Sequence, residues 1–392
     1  MVHVLSETVV RGLLRSENLL MPRSIIEVNR YALQSLSHTP FSLSRSEVPP
    51  RTIVRYKPPD PDTPGGDTLF KPAILYGGLP VAPHEDLLGI KVVSVRNSGV
   101  PASTSLYCPA TGSVRALVAS TYLTAVRTAA GSAVALGECL RRRHISYGER
   151  DDGDDIVDHC RGRRRSRRPR LVVFGAGLQA EQHVRAALTA LAVFSRPAPL
   201  EVEVTVINRS RMRAEQLRAT LLAMATGSSG GNDMTVRLAC VKVLTLEDAE
   251  SEIEDRIASA VRRAHVILLG TGASVPVFRG EWMDPDLLAM ICGAGSYTPD
   301  DAEVDEVATN QCSSVWIDSE AAREVGDLRG CCNRAVLLAD VLSGRIVSSD
   351  GDSSLKTVFY KAVGTAVQDV SSSELMLRMA KERKAGLYVD MS

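Results

Sequence analysis

Residues 171 to 188, LVVFGAGLQAEQHVRAAL, place a short apolar run, a glycine turn and a helix start in immediate succession. This order restricts the chain to a buried strand that feeds a helix, with backbone N–H groups left open where the helix begins. Gly175, Gly177 and Ala180 give the spacing G-x-G-x-x-A. Gly175 permits a tight turn, Gly177 lets a phosphate approach the backbone, and Ala180 lets the helix pack close to the strand. Leu178 and Gln179 open the helix beside them. The expected ligand is a dinucleotide.

A second strand is expected over Glu201 to Ile207, followed by Asn208, Arg209 and Ser210, at the point where such folds contact the adenosine ribose. An acidic residue there would accept from a ribose 2′-OH, whereas an arginine and a small hydroxyl suit a 2′-phosphate. NADPH is therefore favoured, with NADH as the alternative. Arg209 and Arg211 could equally be surface charges that open the next helix.

The chain has 392 residues, 44% of them hydrophobic and 23% charged, which is the profile of a soluble globular protein large enough for two domains. Formal charge balances to zero, so no global feature calls for nucleic acid. The opening MVHVLSETVVRGLL is too polar and broken for a signal peptide, and no apolar run approaches the roughly 20 residues that span a bilayer. A cytoplasmic protein without membrane partners is expected. The eight cysteines form no C-x-x-C pair and the histidines no ligand spacing, so no metal is expected.

From residue 1 to about 140, strands and helices alternate, with strands expected at Arg51 to Tyr56 and Lys91 to Val95 and a helix capped by Ser120. Residues 141 to 170 then hold an acidic cluster between two basic ones, which reads as a disordered insertion. A polyanion patch at Arg161 to Arg170 is the alternative. Residues 171 to 339 resume the α/β pattern, with strands expected at His265 to Leu269, Leu288 to Ala294 and Val315 to Asp318. Thr271 and Ser274 follow one of these strands, as cofactor contacts or as turn residues satisfying local backbone groups. Val358 to Leu375 reads as a helix, and residues 340 to 392 as a return to the first lobe.

Several ordered phrases now converge. Pro49-Pro50-Arg51-Thr52, LGIKVVSV at 88 to 95, YLTAVRTAAGSAVA at 122 to 135, GAGLQAE at 175 to 181, INRS at 207 to 210, EVGDL at 324 to 328 and YKAVGTAVQD at 360 to 369 resemble the ornithine cyclodeaminase/mu-crystallin family. The likeness covers nearly the whole chain outside 141 to 170. It implies a Rossmann-type dinucleotide domain, an α+β substrate and dimerisation lobe built from both chain ends, and a homodimer. It also implies that Arg51 and Arg127 bind a substrate carboxylate, that Lys91 sits in the site as a cation, and that Val363 and Gly364 lie along the cofactor. Two guanidinium forks on one carboxylate fix the orientation of the substrate, and an ammonium can hold the proton that makes an imine carbon electrophilic.

One departure is informative. Family cyclodeaminases carry an aspartate in a segment that resembles Gly295 to Val304, and aligning Pro299 and Glu303 puts Tyr297 in its place. A phenol of pKa about 10 handles the proton of an attacking amine poorly at neutral pH. Tyr297 is therefore expected to line the pocket or donate to the substrate. The resulting expectation is an NADPH-dependent reductase of a carboxylate-bearing imine or ketimine, with Lys91, Arg127 and Tyr297 as catalytic groups. An ornithine-type cyclodeaminase and a non-catalytic NADPH-dependent binding protein are the rivals.

Overall fold

The computed structural model describes residues 1–37, 45–58, 65–80, 82–96, 99–143, 155–158, 163–166, 168–194, 200–227, 236–247, 252–284, 289–295, 298–346 and 356–390. The chain divides into two compact units. The first is Met1–Ser16, Pro22–Gly131 and Gly364–Ser392, and the second is Glu17–Met21 and Ser132–Val363.

The first unit is built on an eight-stranded mixed sheet. Its strands run Arg45–Glu47, Gly66–Tyr76, Leu87–Val95, Ala102–Tyr107, Val114–Ala119, Val2–Leu5 and Leu387–Val389 in spatial order, with Thr52–Tyr56 also paired to Gly66–Tyr76. Alternation along Leu87–Val95 buries Leu87, Gly89, Lys91 and Val93 on one face. The helix Ala366–Glu382 packs on that face, and the helix Arg23–Gln34 packs on it in turn. Gly89 is what lets the helix settle: a Cβ there would come within 2.8 Å of the Val370 side chain. Thr365 and Gln368 close the helix start with a reciprocal capping box.

The second unit carries an all-parallel sheet of eight strands. Their order is Val236–Thr245, Leu200–Asn208, Arg170–Phe174, Val266–Leu269, Met290–Gly293, Val358–Lys361, Ser314–Ile317 and Ala335–Leu337. Helices Leu178–Val193, Arg211–Gly227 and Ile253–Arg262 make the crossovers. Strand order reverses between Arg170–Phe174 and Val266–Leu269, the position where doubly wound sheets open a crevice for ligands. Leu171 to Phe174 are all buried, as a strand covered on both faces requires. The fold is thus the Rossmann-type α/β arrangement joined to an α+β unit containing both chain ends.

Some local expectations change. Val358–Lys361 is a fully buried strand between Met290–Gly293 and Ser314–Ile317, and the last long helix begins only at Ala366. A short apolar run satisfies either element, and sheet pairing decided it. Residues 340–363, expected with the chain ends, therefore include a strand of the parallel sheet. The helix Thr121–Arg142 extends into the expected insertion, where Arg142 is buried against Glu138 and donates to the carbonyls of Val341 and Ile346. Within the expected insertion, Asp155–Asp158 and Arg163–Ser166 pair as an antiparallel ribbon. The Ser120 hydroxyl shares a hydrogen bond with Thr104 and donates to the Val118 carbonyl, while its backbone carbonyl receives the first helical N–H, from Thr124.

Candidate active site

Gly175 has φ +101°, and a Cβ there would lie 2.7 Å from the Gly270 carbonyl oxygen, so a side chain is excluded on both counts. Gly177 caps the helix Leu178–Val193 without a side-chain hydrogen bond, which leaves the first-turn N–H groups for a ligand. It is exposed, and nothing lies within 4 Å of where its Cβ would stand. Ala180 is fully buried, with Gly270 packed against its backbone. Leu178 and Gln179 are partly exposed beside the turn. The positive end of the helix dipole and this open backbone fit a pyrophosphate.

Asn208 ends the neighbouring strand, and its side-chain amide donates to the Ser210 carbonyl at 2.9 Å, which fixes the bend. Arg209 is exposed at that bend, and no acidic residue stands at 208 to 210. These residues fit a nicotinamide dinucleotide with its adenosine at the Asn208 end.

The strand Val266–Leu269 leads into Thr271 and Ser274. Thr271 donates its backbone N–H and its hydroxyl to Glu303 Oε1, at 2.8 and 2.7 Å, and its hydroxyl also accepts the Ala273 N–H. It is a turn residue satisfying local groups, while Ser274 is exposed. Glu303 Oε2 takes the Gly295 N–H at 2.7 Å. The Glu303 backbone is held by Asp327, which pairs with Lys361 at 2.5 Å in a fully buried bridge. Burial pushes the Glu303 carboxyl above its usual range, against the pull of Lys361 and the Thr271 hydrogen bonds. The role of Glu303 in joining two loops was missed at the level of sequence, where it served only as an alignment point.

In the first unit, Lys91 and Arg127 come together on a third residue, Asp369. Lys91 Nζ and Arg127 Nε each lie 2.7 Å from Asp369 Oδ1. Lys91 also donates to Thr124 at 2.7 Å. A fourth group, Lys71, reaches Asp369 Oδ2 at 3.2 Å and the Gly364 carbonyl at 2.9 Å. All four side chains are more than nine-tenths buried. Arg127 Nη1 is buried without a hydrogen-bond partner among the described residues. Burial lowers the Lys91 pKa well below that of a free lysine; Asp369 opposes the shift, and Arg127 and Lys71 add to it. For Asp369, burial acts to raise the pKa, but Arg127, Lys71 and Lys91 together hold it far below the usual carboxylate range. The cluster is a buried, cation-rich surface of the kind that receives an anion.

Of the other expected residues, Arg51 directly precedes the strand Thr52–Tyr56, is partly exposed, and is not one of the Asp369 partners. Val363 packs in the hydrophobic core of the second unit. Gly364 offers its carbonyl to Lys71. Tyr297 lies outside the described residues. Lys71 and Asp369 were not picked out from sequence. Lys71 carried the same signal as Lys91, a lysine at an inward position of an apolar strand.

Known proteins resemble this chain in sequence and in fold. The model of the ornithine cyclodeaminase/mu-crystallin family matches residues 232–384. An uncharacterized cyclodeaminase of Dictyostelium discoideum is 24% identical over 353 residues, 83% of either chain. The ketimine reductase mu-crystallin of Mus musculus is 27% identical over 302 residues, 74% of this chain and 76% of that one. Among solved structures, the Delta(1)-pyrroline-2-carboxylate reductase of Thermococcus litoralis, in complex with NADH and L-proline, superposes with a TM-score of 0.67. It shares 21% identity and covers 99% of this chain and 100% of its own.

Proposed function

We propose that this member of the ornithine cyclodeaminase/mu-crystallin family is an NADPH-dependent reductase of an imine or ketimine that bears a carboxylate. The observation that carries this reading is the buried cluster in which Lys91 and Arg127 share Asp369 while Arg127 keeps an unpartnered Nη1. A carboxylate can take that nitrogen, and the planar fork then fixes which way the substrate faces. Lys91 holds its ammonium within hydrogen-bond reach of Thr124 and Asp369, an arrangement suited to keeping a proton on the imine nitrogen. Its depressed pKa makes that proton easier to release to the product amine.

When bound, a reduced nicotinamide supplies the hydride, so that imine, hydride and one proton give the amine. The Gly175 turn and the first turn of the helix Leu178–Val193 would hold its pyrophosphate, and Arg209 with Ser210 a 2′-phosphate. Tyr297 in place of an aspartate supports reduction over cyclodeamination, and Arg51 would reinforce the carboxylate contact. Phe70 and Leu117, exposed on the sheet face opposite the helix Ala366–Glu382, support a homodimer through that face. No helix among the described residues is long and apolar enough to cross a membrane. A cytoplasmic enzyme of amino-acid metabolism fits this reading.

The test is oxidation of NADPH, and separately of NADH, with a panel of cyclic and acyclic imine carboxylates, beside ammonia release from ornithine with NAD. NADPH oxidation that is lost in Lys91→Ala and Arg127→Ala supports the reductase. Ammonia from ornithine without net cofactor turnover restores the cyclodeaminase. Tight NADPH binding with neither reaction leaves a binding protein.

A further inference from the structure

The second unit holds a cavity of about 610 Å³ against its parallel sheet, and the reductase chemistry makes no use of it. Its floor follows from strand register. Val172, Thr205 and Lys242 are successive partners across three strands, and Arg170 pairs with Glu203 two residues earlier. Residues two apart on a strand share a face, so Arg170 and Val172 line the same space. The helix Ile253–Arg262 supplies Arg256, Ser259, Ala260 and its C-cap Arg263, spaced i, i+3, i+4 and i+7 along one face. The Gly175 turn follows the carboxyl end of the strand Arg170–Phe174, and neither Gly175 nor Asn208 lines this cavity.

Five cations and two carboxylates line the space. Glu215 is taken by Arg218 at 3.0 Å, and Glu203 acts on Arg170. Arg170 Nε donates to the Arg263 carbonyl at 2.8 Å, which holds the side chain of one arginine against the backbone of the other. Burial lowers the Arg170 pKa, and Arg263 lowers it further against the pull of Glu203. An anion between the two guanidinium groups would relieve that repulsion. Neither Arg263 nor Lys242 forms an ion pair with a described residue. Arg170 is also the last residue of the basic run 161–170, for which a polyanion patch stood as the alternative reading. The remaining wall is apolar, with Val172, Val243, Leu244 and Ala260.

We propose that this cavity binds a nucleoside polyphosphate, with its phosphates on Arg170, Arg263 and Lys242 and its base along Val172, Val243 and Leu244. Guanidinium forks take phosphate oxygens in pairs, and an ammonium adds a point charge beside them. The apolar wall receives the flat face of a base, and the Thr205 and Ser259 hydroxyls offer polar contacts to the sugar. The volume lies in the range of pockets that hold ligands of this size. A compact inorganic or sugar phosphate would leave the wall uncovered. Since the cavity lies apart from the dinucleotide turn, both nucleotides can occupy the unit together.

The experiment titrates ADP into the full chain by calorimetry, alone and with NADP+ at saturation. The expected result is one ADP site that survives NADP+, weakens with added salt, and loses about tenfold or more in affinity in Lys242→Glu and in Arg263→Glu, the scale of one charge-assisted contact. Both side chains are exposed, so the fold should tolerate these changes, and Lys242→Met with Arg263→Met gives a milder pair. Absence of ADP binding overturns the inference, as does binding that none of these variants weakens. ADP binding abolished by NADP+ would belong to the dinucleotide crevice and overturn it too. Inorganic diphosphate or fructose 1,6-bisphosphate bound as tightly as ADP would overturn the assignment of a nucleotide. If NADP+ itself does not bind, the cofactor reading falls, and the Lys242 and Arg263 variants alone decide this site.

Discussion

Lys91 and Asp369 meet at 2.7 Å although 278 residues of chain separate them. The contact ties the sheet to the last long helix of the first unit at a point where neither group reaches water. Since Arg127 and Lys71 use the same carboxylate, Asp369 is the hub of the cluster.

Replacing Asp369 by Asn should therefore destabilise the protein far more than an ordinary surface substitution. It removes the carboxylate that Lys71, Lys91 and Arg127 share, and leaves buried cations facing one another. Loss of one member of a buried ion pair costs about 3–5 kcal/mol. Denaturant unfolding should show a drop of that order. A change below about 1 kcal/mol would mean that the cations are neutralised in another way.

The pH dependence of activity should report Lys91. Burial lowers its pKa, so the ammonium that serves the imine nitrogen is lost at a lower pH than in a free lysine. The alkaline limb of kcat/KM should then fall below the ordinary lysine range of about 10.4. Lys91→Arg, whose charge persists, should lack that limb even if its rate is low. The sign for folding is opposite: a depressed folded pKa means that the Lys91 contribution to stability is greatest above about pH 10.4 and is lost as pH falls through the lowered value. An alkaline limb unchanged in Lys91→Arg would assign it to another group.

The glycine turn was legible in the sequence because backbone geometry there leaves no choice of residue. A positive φ at Gly175 and its approach to Gly270 admit only glycine, so the letters encode the shape. Lys91 and Arg127 were legible through longer phrases. Lys71 was not, since one charged residue in a strand says nothing about its cross-strand partner, and that pairing depends on register. Asp369 stood inside a recognised phrase, but its role exists only once a helix from one chain end reaches strands from the other. The strand at Val358–Lys361 was hidden for a related reason: four apolar or long residues suit either element until neighbouring strands claim them.

Arg209 should set the choice between the two nicotinamide dinucleotides. It is exposed at the end of the strand Leu200–Asn208, with Asn208 bonded to the Ser210 carbonyl and holding the bend. Arg209→Ala should raise KM for NADPH by about tenfold to a hundredfold, the range of a hydrogen bond to a charged group, and leave NADH nearly unaffected. Arg209→Asp should reverse the preference by offering an acceptor to a ribose 2′-OH. Parallel kinetics with the two donors read this directly, and an equal loss for both would move the 2′-phosphate contact elsewhere.

Glu303 should matter for cofactor affinity although it lies in a buried network. Its two oxygens accept three donors: the N–H and hydroxyl of Thr271, and the N–H of Gly295. The two loops it joins follow the strands Val266–Leu269 and Met290–Gly293, at the ends where a parallel sheet receives its ligand. In Glu303→Gln one oxygen becomes an NH2 group, which cannot accept, so at least one buried donor is left facing another donor. The cost of such a mismatch is about 1–3 kcal/mol in stability. Because the donors belong to the loops themselves, part of that cost should appear as looser loops and weaker NADPH binding. Fluorescence titration of NADPH should show a raised Kd alongside a lowered Tm. A lowered Tm with unchanged Kd would make the Lys361, Asp327 and Glu303 network purely a support for the sheet.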